Sequence, residues 1–317
     1  MIDDTLGPGF TVSYLDLGTD PDGEGSIRAS LVSYNSDAPG FAERPALLWV
    51  HGMTDYFFSD HVARHYDELG YAFYALDLRK CGRSRTEGQT WHYVSDLTYY
   101  YEDLNAALDA IPNESVIPIA HSTAGLICSL WLSDTRPAKV TGLILNGPWL
   151  DMMSVPKPTF RALAPVIDSI GKRFPMLAIP GGNLTAFGDS MHVSKYGEWN
   201  YDLTLKPLGG HTKYIGWLRA VLAGFKRLHS GYIDVHVPYL TLCSTRSILG
   251  KPYSEEINYV DAVVDVQQTI RWAPTLGTDC TLRPISGARH EAFASRQPIR
   301  DEVFAITDKW LSEHSGS

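Results

Sequence analysis

Short runs of consecutive apolar residues alternate along much of the chain with segments whose apolar positions recur every three or four residues. The uninterrupted runs predict strands buried on both faces, and the wider spacing predicts helices. Strands are predicted in "PALLWVHG", "YAFYALDLR", "SVIPIAHS", "KVTGLILNGPW", "VPYLTLCS" and "DCTLRPIS". Helices are predicted in "SDLTYYYEDLNAALDAI", "TAGLICSLWLSD", "VQQTIRWAPTL" and "IRDEVFAITDKWLSEH". This strand–helix alternation predicts an α/β fold, with a parallel sheet and helices on both of its faces.

Two segments depart from this alternation. Near the N-terminus, alternating polar and apolar residues in "FTVSYLDLG" and "SIRASLVSY" predict two strands joined by a turn. Between residues 151 and 236 the chain carries proline and glycine clusters and many aromatic residues, apart from one amphipathic helix in "YIGWLRAVLAGFKRLHS". We therefore predict a core formed by residues 1–150 and 237–317, with residues 151–236 inserted as a cap, or lid.

The composition describes a globular protein and excludes several classes of partner. Of the 317 residues, 44% are hydrophobic and 20% are charged, which is enough for a large core. A formal net charge of −9 argues against nucleic acid or an anionic membrane as partner. No apolar stretch approaches the ~20 residues of a membrane span, and no signal-peptide pattern is visible, so the cytoplasm is the expected location. The cysteines lack metal-binding spacing and are predicted to be free thiols.

The stretch "VIPIAHSTAGLICSLWL" places Ser122 between a predicted strand and a predicted helix. A strand, a sharp turn and a helix would expose this serine on a strained corner, as the G-x-S-x-G pattern does for a nucleophile. Ala120 and Ala124 stand at the two glycine positions, and alanine is the next smallest residue. The alternative is that Ser122 is an ordinary N-cap of the helix.

Two other segments supply the groups that a serine nucleophile needs. In "VHGMTDYFF" a turn at His51 and Gly52 would bring the backbone to the site, unless it is a plain strand-to-loop turn. The peptide N–H groups of Met53 and Thr123 would then form an oxyanion hole. His290, in "ISGARHEAFAS", follows the last predicted strand and is the predicted general base.

The other histidines receive less specific interpretations. His61 and His65 could share a helix face, but the sequence offers neither the glutamate of H-E-x-x-H nor a third ligand, so no metal site is predicted. His121 precedes the nucleophile in a strand and therefore points to the opposite face, where it is expected to pack or to form a hydrogen bond nearby.

Five segments together resemble the α/β-hydrolases of the monoacylglycerol lipase and lysophospholipase group, which is also described as serine aminopeptidase-like. They are "HGMTDYFFSD", "YALDLRKCGRS", "AHSTAGLI", "LILNGPWLD" and "GARHEAFAS". In "DLRKCGRS", Asp77, Gly82 and Ser84 keep the group's D-x-x-G-x-G-x-S pattern, whereas Lys80 replaces its first glycine. The resemblance covers nearly the whole chain outside residues 151–236. It implies an eight-stranded, mostly parallel sheet, a Ser–Asp–His order of the triad and a cap over the pocket.

The triad acid departs from the pattern of this group. The aspartate normally follows the strand that corresponds to "YLTLCS" in a G-x-x-D segment, and Ser247 stands at about that place here. After an insertion, "VDAVVDVQQ" offers two aspartates with a spacing similar to the group's D-x-x-x-D, in which the first is the triad member. This favours Asp261 over Asp265, which also suits the N-cap of the next helix. Glu255, Glu256 or no acid at all are the remaining alternatives.

These residues predict a serine hydrolase that cleaves carboxylic esters through an acyl-enzyme, with no metal or organic cofactor. The aromatic residues of the insertion favour a small-molecule ester with a lipophilic part, such as a monoacylglycerol-like, lysophospholipid-like or aromatic monoester, although they could equally form the core of the cap. They are Phe160, Phe174, Phe187, Tyr196, Trp199, Tyr201, Tyr214 and Trp217. The predicted substrate-binding residues are His51, Gly52, His121, Trp149, Phe187 and Trp199. Hydrolysis of a thioester, lactone or amide, and a non-catalytic ligand-binding protein on the same fold, are the alternatives.

Overall fold

This computed structural model describes residues 2–153, 157–180 and 184–315, and it describes the side chains of all of these except residues 157–164. One large sheet forms the centre of this part of the chain. The strands are β1 (Ile2–Asp3), β2 (Phe10–Thr19), β3 (Ser26–Tyr34), β4 (Ala46–Val50), β5 (Ala72–Asp77), β6 (Val116–His121), β7 (Leu143–Asn146), β8 (Ala178–Ile179), β9 (Lys213–Tyr214), β10 (Tyr239–Ser244) and β11 (Cys280–Ile285). The helices are α1 (Asp60–Glu68), α2 (Tyr100–Ala110), α3 (Thr123–Thr135), α4 (Lys157–Arg173), α5 (Thr185–Met191), α6 (Ile215–Leu228), α7 (Val266–Trp272) and α8 (Gln297–His314).

The strand order of the large sheet is β1-β2-β3-β5-β4-β6-β7-β10-β11, and β8 pairs with β9 in a separate two-stranded sheet. From β5 to β11 all neighbours are parallel, while β1, β2 and β3 pair antiparallel at one side. The predicted α/β-hydrolase fold class is confirmed. Among the described residues the sheet has nine strands rather than the expected eight, because the short β1 pairs with β2.

The uninterrupted apolar runs arise because the central strands are covered on both faces. All five residues of β4 are buried, and successive side chains enter different clusters. Leu47 and Trp49 pack in a cluster with α1 and α8, whereas Leu48 and Val50 pack in a cluster with α2, α3 and α6. Parallel strands end at a common edge, and the loops after β4, β6, β7 and β10 therefore lie close together there.

The inserted segment is only partly separate from the core. Helix α6 packs beside α3, and its Phe225 ring contacts Trp149 with ring centroids 5.1 Å apart. The division into a core and a cap of residues 151–236 stays a prediction. None of the helices in the described ranges has the length and apolarity required to cross a bilayer.

Candidate active site

Ser122 occupies a strained turn between β6 and α3. Its backbone φ of 53° lies in the left-handed region, which a residue with a side chain adopts at a cost. Its side chain makes no capping hydrogen bond to α3, so the geometry favours the nucleophile interpretation over the N-cap. Ala120 and Ala124 are fully buried on either side, and the small side chains fit the space that the pattern normally gives to glycine.

A continuous chain of hydrogen bonds joins Ser122, His290 and Asp261. The Ser122 Oγ lies 2.9 Å from His290 Nε2, and His290 Nδ1 lies 2.9 Å from Asp261 Oδ2. The second oxygen of Asp261 accepts the N–H groups of Val263 and Val264, each at 2.8 Å. The three side chains come from three distant parts of the sequence and meet at the carboxyl edge of the sheet.

The position of Asp261 accounts for the displaced acid. Ser247 and Asp261 pair as a parallel β-bridge, in which Ile248 N–H donates to the Asp261 carbonyl at 2.9 Å and Asp261 N–H donates to the Arg246 carbonyl at 3.1 Å. The residues between Ser247 and Asp261 form a loop that brings the chain back beside Ser247. Asp261 therefore lies next to the position where the sequence pattern expects the acid. Asp265 instead accepts the N–H of Gln267 at 3.0 Å and caps α7.

The loop after β4 passes directly against Ser122. A Cβ added at Gly52 would lie 2.8 Å from the Ser122 Cβ, so only glycine permits this approach. The buried His51 side chain connects this loop to the end of β5: its Nδ1 lies 2.7 Å from the Gly52 carbonyl, and its Nε2 accepts the Leu78 N–H at 3.0 Å. Met53 follows in this loop. Thr123 is the first residue of α3, where helical geometry leaves the backbone N–H without an intrahelical acceptor.

Ser122 and His290 open into a cavity of about 580 Å³. Met53 and Thr123 line it, as do His121, Trp149 and Phe187 among the residues predicted to bind substrate. Most of the other lining side chains are apolar: Met152, Met153, Ile179, Pro180, Leu184, Tyr201, Pro207, Leu208, Trp217, Leu218, Leu249, Ala262, Val263 and Val264.

Other predicted positions lie away from this cavity. Trp199, predicted to bind substrate, is not among the lining residues: its indole N–H donates to the Ala294 carbonyl at 3.0 Å and its ring stacks on His61 at 4.3 Å. His51 is buried behind the loop, and Gly52 contributes by its close approach rather than by a side chain. Phe174 and Tyr196 are exposed, and the side chain of Phe160 lies outside the described residues.

A group of buried ionisable residues lies beside Ser122, His290 and Asp261, and its members Asp55, Lys206 and Glu291 were not predicted from the sequence. Lys206 Nζ lies 2.6 Å from Asp55 Oδ1, and both residues line the cavity. His121 lies 3.9 Å from Asp55 and 3.6 Å from Glu291. Burial, with the neighbouring His290 next in importance, holds the pKa of His121 well below its ordinary value, so the ring is neutral. The expectation that His121 packs and forms a hydrogen bond agrees with its Nδ1, 3.1 Å from the Asn146 carbonyl.

Because of Glu291, the stability of the folded protein is expected to depend on pH. Burial raises the pKa of its carboxyl from 4.5 to about 8. Between these values the folded protein retains a proton that the unfolded chain releases, so the stability present at low pH is lost as pH rises through this interval. We expect the free energy of unfolding of wild type to fall across the interval relative to that of Glu291→Gln. Urea unfolding of both proteins at the two ends of the interval measures the difference, and a difference independent of pH would contradict this account.

His61 and His65 form hydrogen bonds within the fold, and the cysteines are free. His61 Nε2 lies 3.0 Å from the Phe293 carbonyl and His65 lies 3.0 Å from Asp308. No cluster of metal-ligating side chains occurs in the ranges that the structure covers. The four cysteines, Cys81, Cys128, Cys243 and Cys280, are free thiols as predicted.

Comparisons with known proteins point to one family. The family model described as serine aminopeptidase, S33, matches residues 42–297. A monoacylglycerol lipase of Mycolicibacterium smegmatis is 25% identical over 298 residues, which is 92% of this chain and 95% of that protein. Two solved structures share the fold. A soluble variant of the Saccharomyces cerevisiae monoglyceride lipase, in complex with a substrate analog, has a TM-score of 0.65 at 16% identity over 96% of this chain and 97% of that one. The Paleococcus ferrophilus monoacylglycerol lipase has a TM-score of 0.63 at 18% identity over 96% and 99%.

Proposed function

This chain belongs to the serine aminopeptidase S33 family of α/β-hydrolases and is a hydrolase, and from that premise we propose that it cleaves carboxylic esters of small to medium lipophilic substrates through Ser122, His290 and Asp261. The observation that carries the proposal is the hydrogen-bond chain from Ser122 Oγ through His290 to Asp261, with 2.9 Å at each step. The same chain of contacts weighs against a non-catalytic binding protein, because the displaced acid was the reason for considering one.

The geometry supports a two-step mechanism. His290 Nε2 takes the proton of Ser122 as its oxygen attacks the ester carbonyl, and Asp261 stabilises the resulting imidazolium. The N–H groups of Met53 and Thr123 receive the developing oxyanion. His290 then donates its proton to the departing alcohol. Water, activated by the same imidazole, hydrolyses the acyl-enzyme and releases the acid.

The cavity supports a lipophilic substrate. Its volume of about 580 Å³ and its largely apolar lining suit a ligand of small to medium size. Ile179, Phe187 and Lys206 come from the inserted residues 151–236, which we therefore propose as the cap over the pocket. The relatives named monoacylglycerol and monoglyceride lipases make a monoacylglycerol-like ester the first substrate to test.

A panel of p-nitrophenyl and glyceryl monoesters, from acetate to palmitate, tests this function. We expect turnover with a preference for one range of chain length, and we expect pretreatment with a fluorophosphonate to abolish that turnover. The corresponding thioesters and amides, assayed alongside, test the alternative acyl substrates. Absence of ester turnover under conditions in which a control esterase is active would overturn the proposal.

A further inference from the structure

The end of strand β7 contacts both the nucleophile and the base. We infer that Asn146, the last residue of β7, is a positioning residue that holds His290 within reach of Ser122. The inference rests on the proposed function, since it assigns a role within the same site. Asn146 is fully buried and is not one of the residues that line the cavity, so it is not a candidate substrate ligand.

The side chain of Asn146 holds the segment that follows the base. Its Nδ2 donates to Glu291 Oε1 at 2.6 Å, and its Oδ1 accepts the N–H of Ala292 at 3.0 Å. Glu291 and Ala292 are the next two residues after His290. A single amide group therefore fixes the backbone on which the imidazole is carried.

The carbonyl of the same residue holds the nucleophile. It accepts the N–H of Ser122 at 3.1 Å and lies 3.1 Å from Nδ1 of His121. Asn146 thus forms hydrogen bonds to the turn that presents Ser122 and to the loop that presents His290. A shift of this residue would change the distance between the two reacting atoms.

Gly147 provides the second contact between β7 and the base. Its φ is +54°, and a Cβ at this position would lie 2.1 Å from the carbonyl oxygen of His290 and 3.3 Å from its Nδ1. The backbone of His290 therefore packs directly against Gly147. Gly147 N–H in turn donates to the Leu242 carbonyl at 2.9 Å, and β7 lies between β6 and β10 in the sheet. The backbone that contacts His290 therefore continues a buried central strand of the sheet.

Removal of the Asn146 amide is expected to lower the rate of the chemical step and to change the affinity for substrate little. In Asn146→Ala the Ala292 N–H loses its acceptor and the Glu291 carboxyl loses the Asn146 donor, keeping the Phe293 N–H, so the loop can relax away from Ser122. Since a displacement of about 1 Å at a catalytic group can cost about 100-fold in rate, we expect kcat for a p-nitrophenyl ester to fall by roughly that factor, with KM within about threefold.

Asn113 offers a matched control for the loss of a buried amide. It is also fully buried, and its side chain accepts from Tyr74 Oη at 2.9 Å and donates to the carbonyls of Phe41 at 2.7 Å and Arg44 at 2.9 Å. Asn113→Ala therefore loses a comparable set of hydrogen bonds away from the triad. We expect it to lower the unfolding temperature but to leave kcat within about twofold, because Asn113 precedes β6 and its amide donates to residues that precede β4, at the end of the sheet opposite Ser122.

Asn146→Asp adds a readout that a purely structural role would not produce. The carboxylate keeps the acceptor for Ala292 but places an oxygen where the donor to Glu291 stood, so the two carboxyl groups must share a proton. His121, Asp55 and Lys206 also face this region. We expect the kcat of Asn146→Asp, relative to wild type, to fall as pH rises, at pH values where both proteins remain folded by circular dichroism.

The rate of Ser122 phosphonylation by a fluorophosphonate, measured with kcat and KM, separates the outcomes. Slow labelling and low kcat in Asn146→Ala, with near-normal values in Asn113→Ala, support the inference. Equal loss in both variants, or none in Asn146→Ala, overturns it. A wild type that neither reacts with the probe nor turns over any ester contradicts the proposed function itself.

Discussion

Replacement of Asp261 by asparagine is expected to lower kcat for ester hydrolysis by about 10⁴-fold, while the protein stays folded. Asp261 Oδ1 accepts two backbone N–H groups, from Val263 and Val264, and Oδ2 faces His290 Nδ1. An asparagine must keep its oxygen toward those two donors, so its NH₂ group would face His290. The imidazole would then carry its proton on Nε2 and could not accept the proton of Ser122.

Asp265→Asn is the matched control for this substitution. Asp265 accepts the Gln267 N–H as the N-cap of α7, and asparagine caps helices about as well as aspartate. We therefore expect nearly unchanged kcat and a change of only a few tenths of a kcal/mol in the free energy of unfolding. Steady-state kinetics on both variants decides the assignment. Loss of activity in Asp265→Asn alone would show that the other aspartate is the triad acid.

Substitution of Lys80 by methionine is expected to reduce the free energy of unfolding by about 3–5 kcal/mol, since it breaks a buried ion pair and leaves carboxylates unpaired. The Lys80 ammonium is fully buried and lies 2.7 Å from Asp20, 3.4 Å from Glu24 and 3.8 Å from Asp22. These three acids belong to the turn between β2 and β3. Lys80 thereby joins this turn to the segment after β5, and its removal would leave three negative charges facing one another.

Lys172→Met is the matched control for the loss of a lysine in an ion pair. Lys172 also lies 2.7 Å from a carboxylate, that of Asp168, but the two side chains are 60% and 47% exposed. Exposed pairs contribute about 0–1 kcal/mol, so this variant should unfold at nearly the wild-type urea concentration. If the two lysine variants lose similar stability, the account of Lys80 is wrong.

The fold was predictable because its strands follow a simple rule of burial. The runs around β4, β5, β6 and β7 are continuously apolar since helices cover both faces of these strands. The same runs mark where each strand ends: Met53 and Ser122 follow β4 and β6, and Asn146 is the last residue of β7. The short β1 and β8 contain two residues each and carry too little pattern to be predicted.

The site was predictable where a residue type and its place in the chain order carried the information. Ser122 and His290 follow predicted strands directly, and the structure brings them together. Asp261 was harder to predict, because its position depends on a β-bridge to Ser247 across an insertion. That pairing follows from the tertiary structure and has no local sequence signal.

Contacts between side chains that are distant in the sequence could not be predicted from it. Trp199 is aromatic and lies in the insertion, which suggested a place at the substrate; in the structure its ring packs on His61 and it is not among the residues that line the cavity. Asp55 and Lys206 are separated by 151 residues along the chain and pair only after folding. Glu291 follows His290 directly, and this proximity was the one signal in the sequence for a role near the site.

Fluorophosphonate labelling followed by mass spectrometry of the modified peptide tests the central claim most directly. The reagent forms a covalent bond with a serine whose hydroxyl is activated by a neighbouring base. We predict a single adduct on the peptide that contains Ser122, formed rapidly in wild type and far more slowly in folded His290→Ala. An adduct on another residue, or labelling of Ser122 that is unaffected by His290→Ala, would contradict the account.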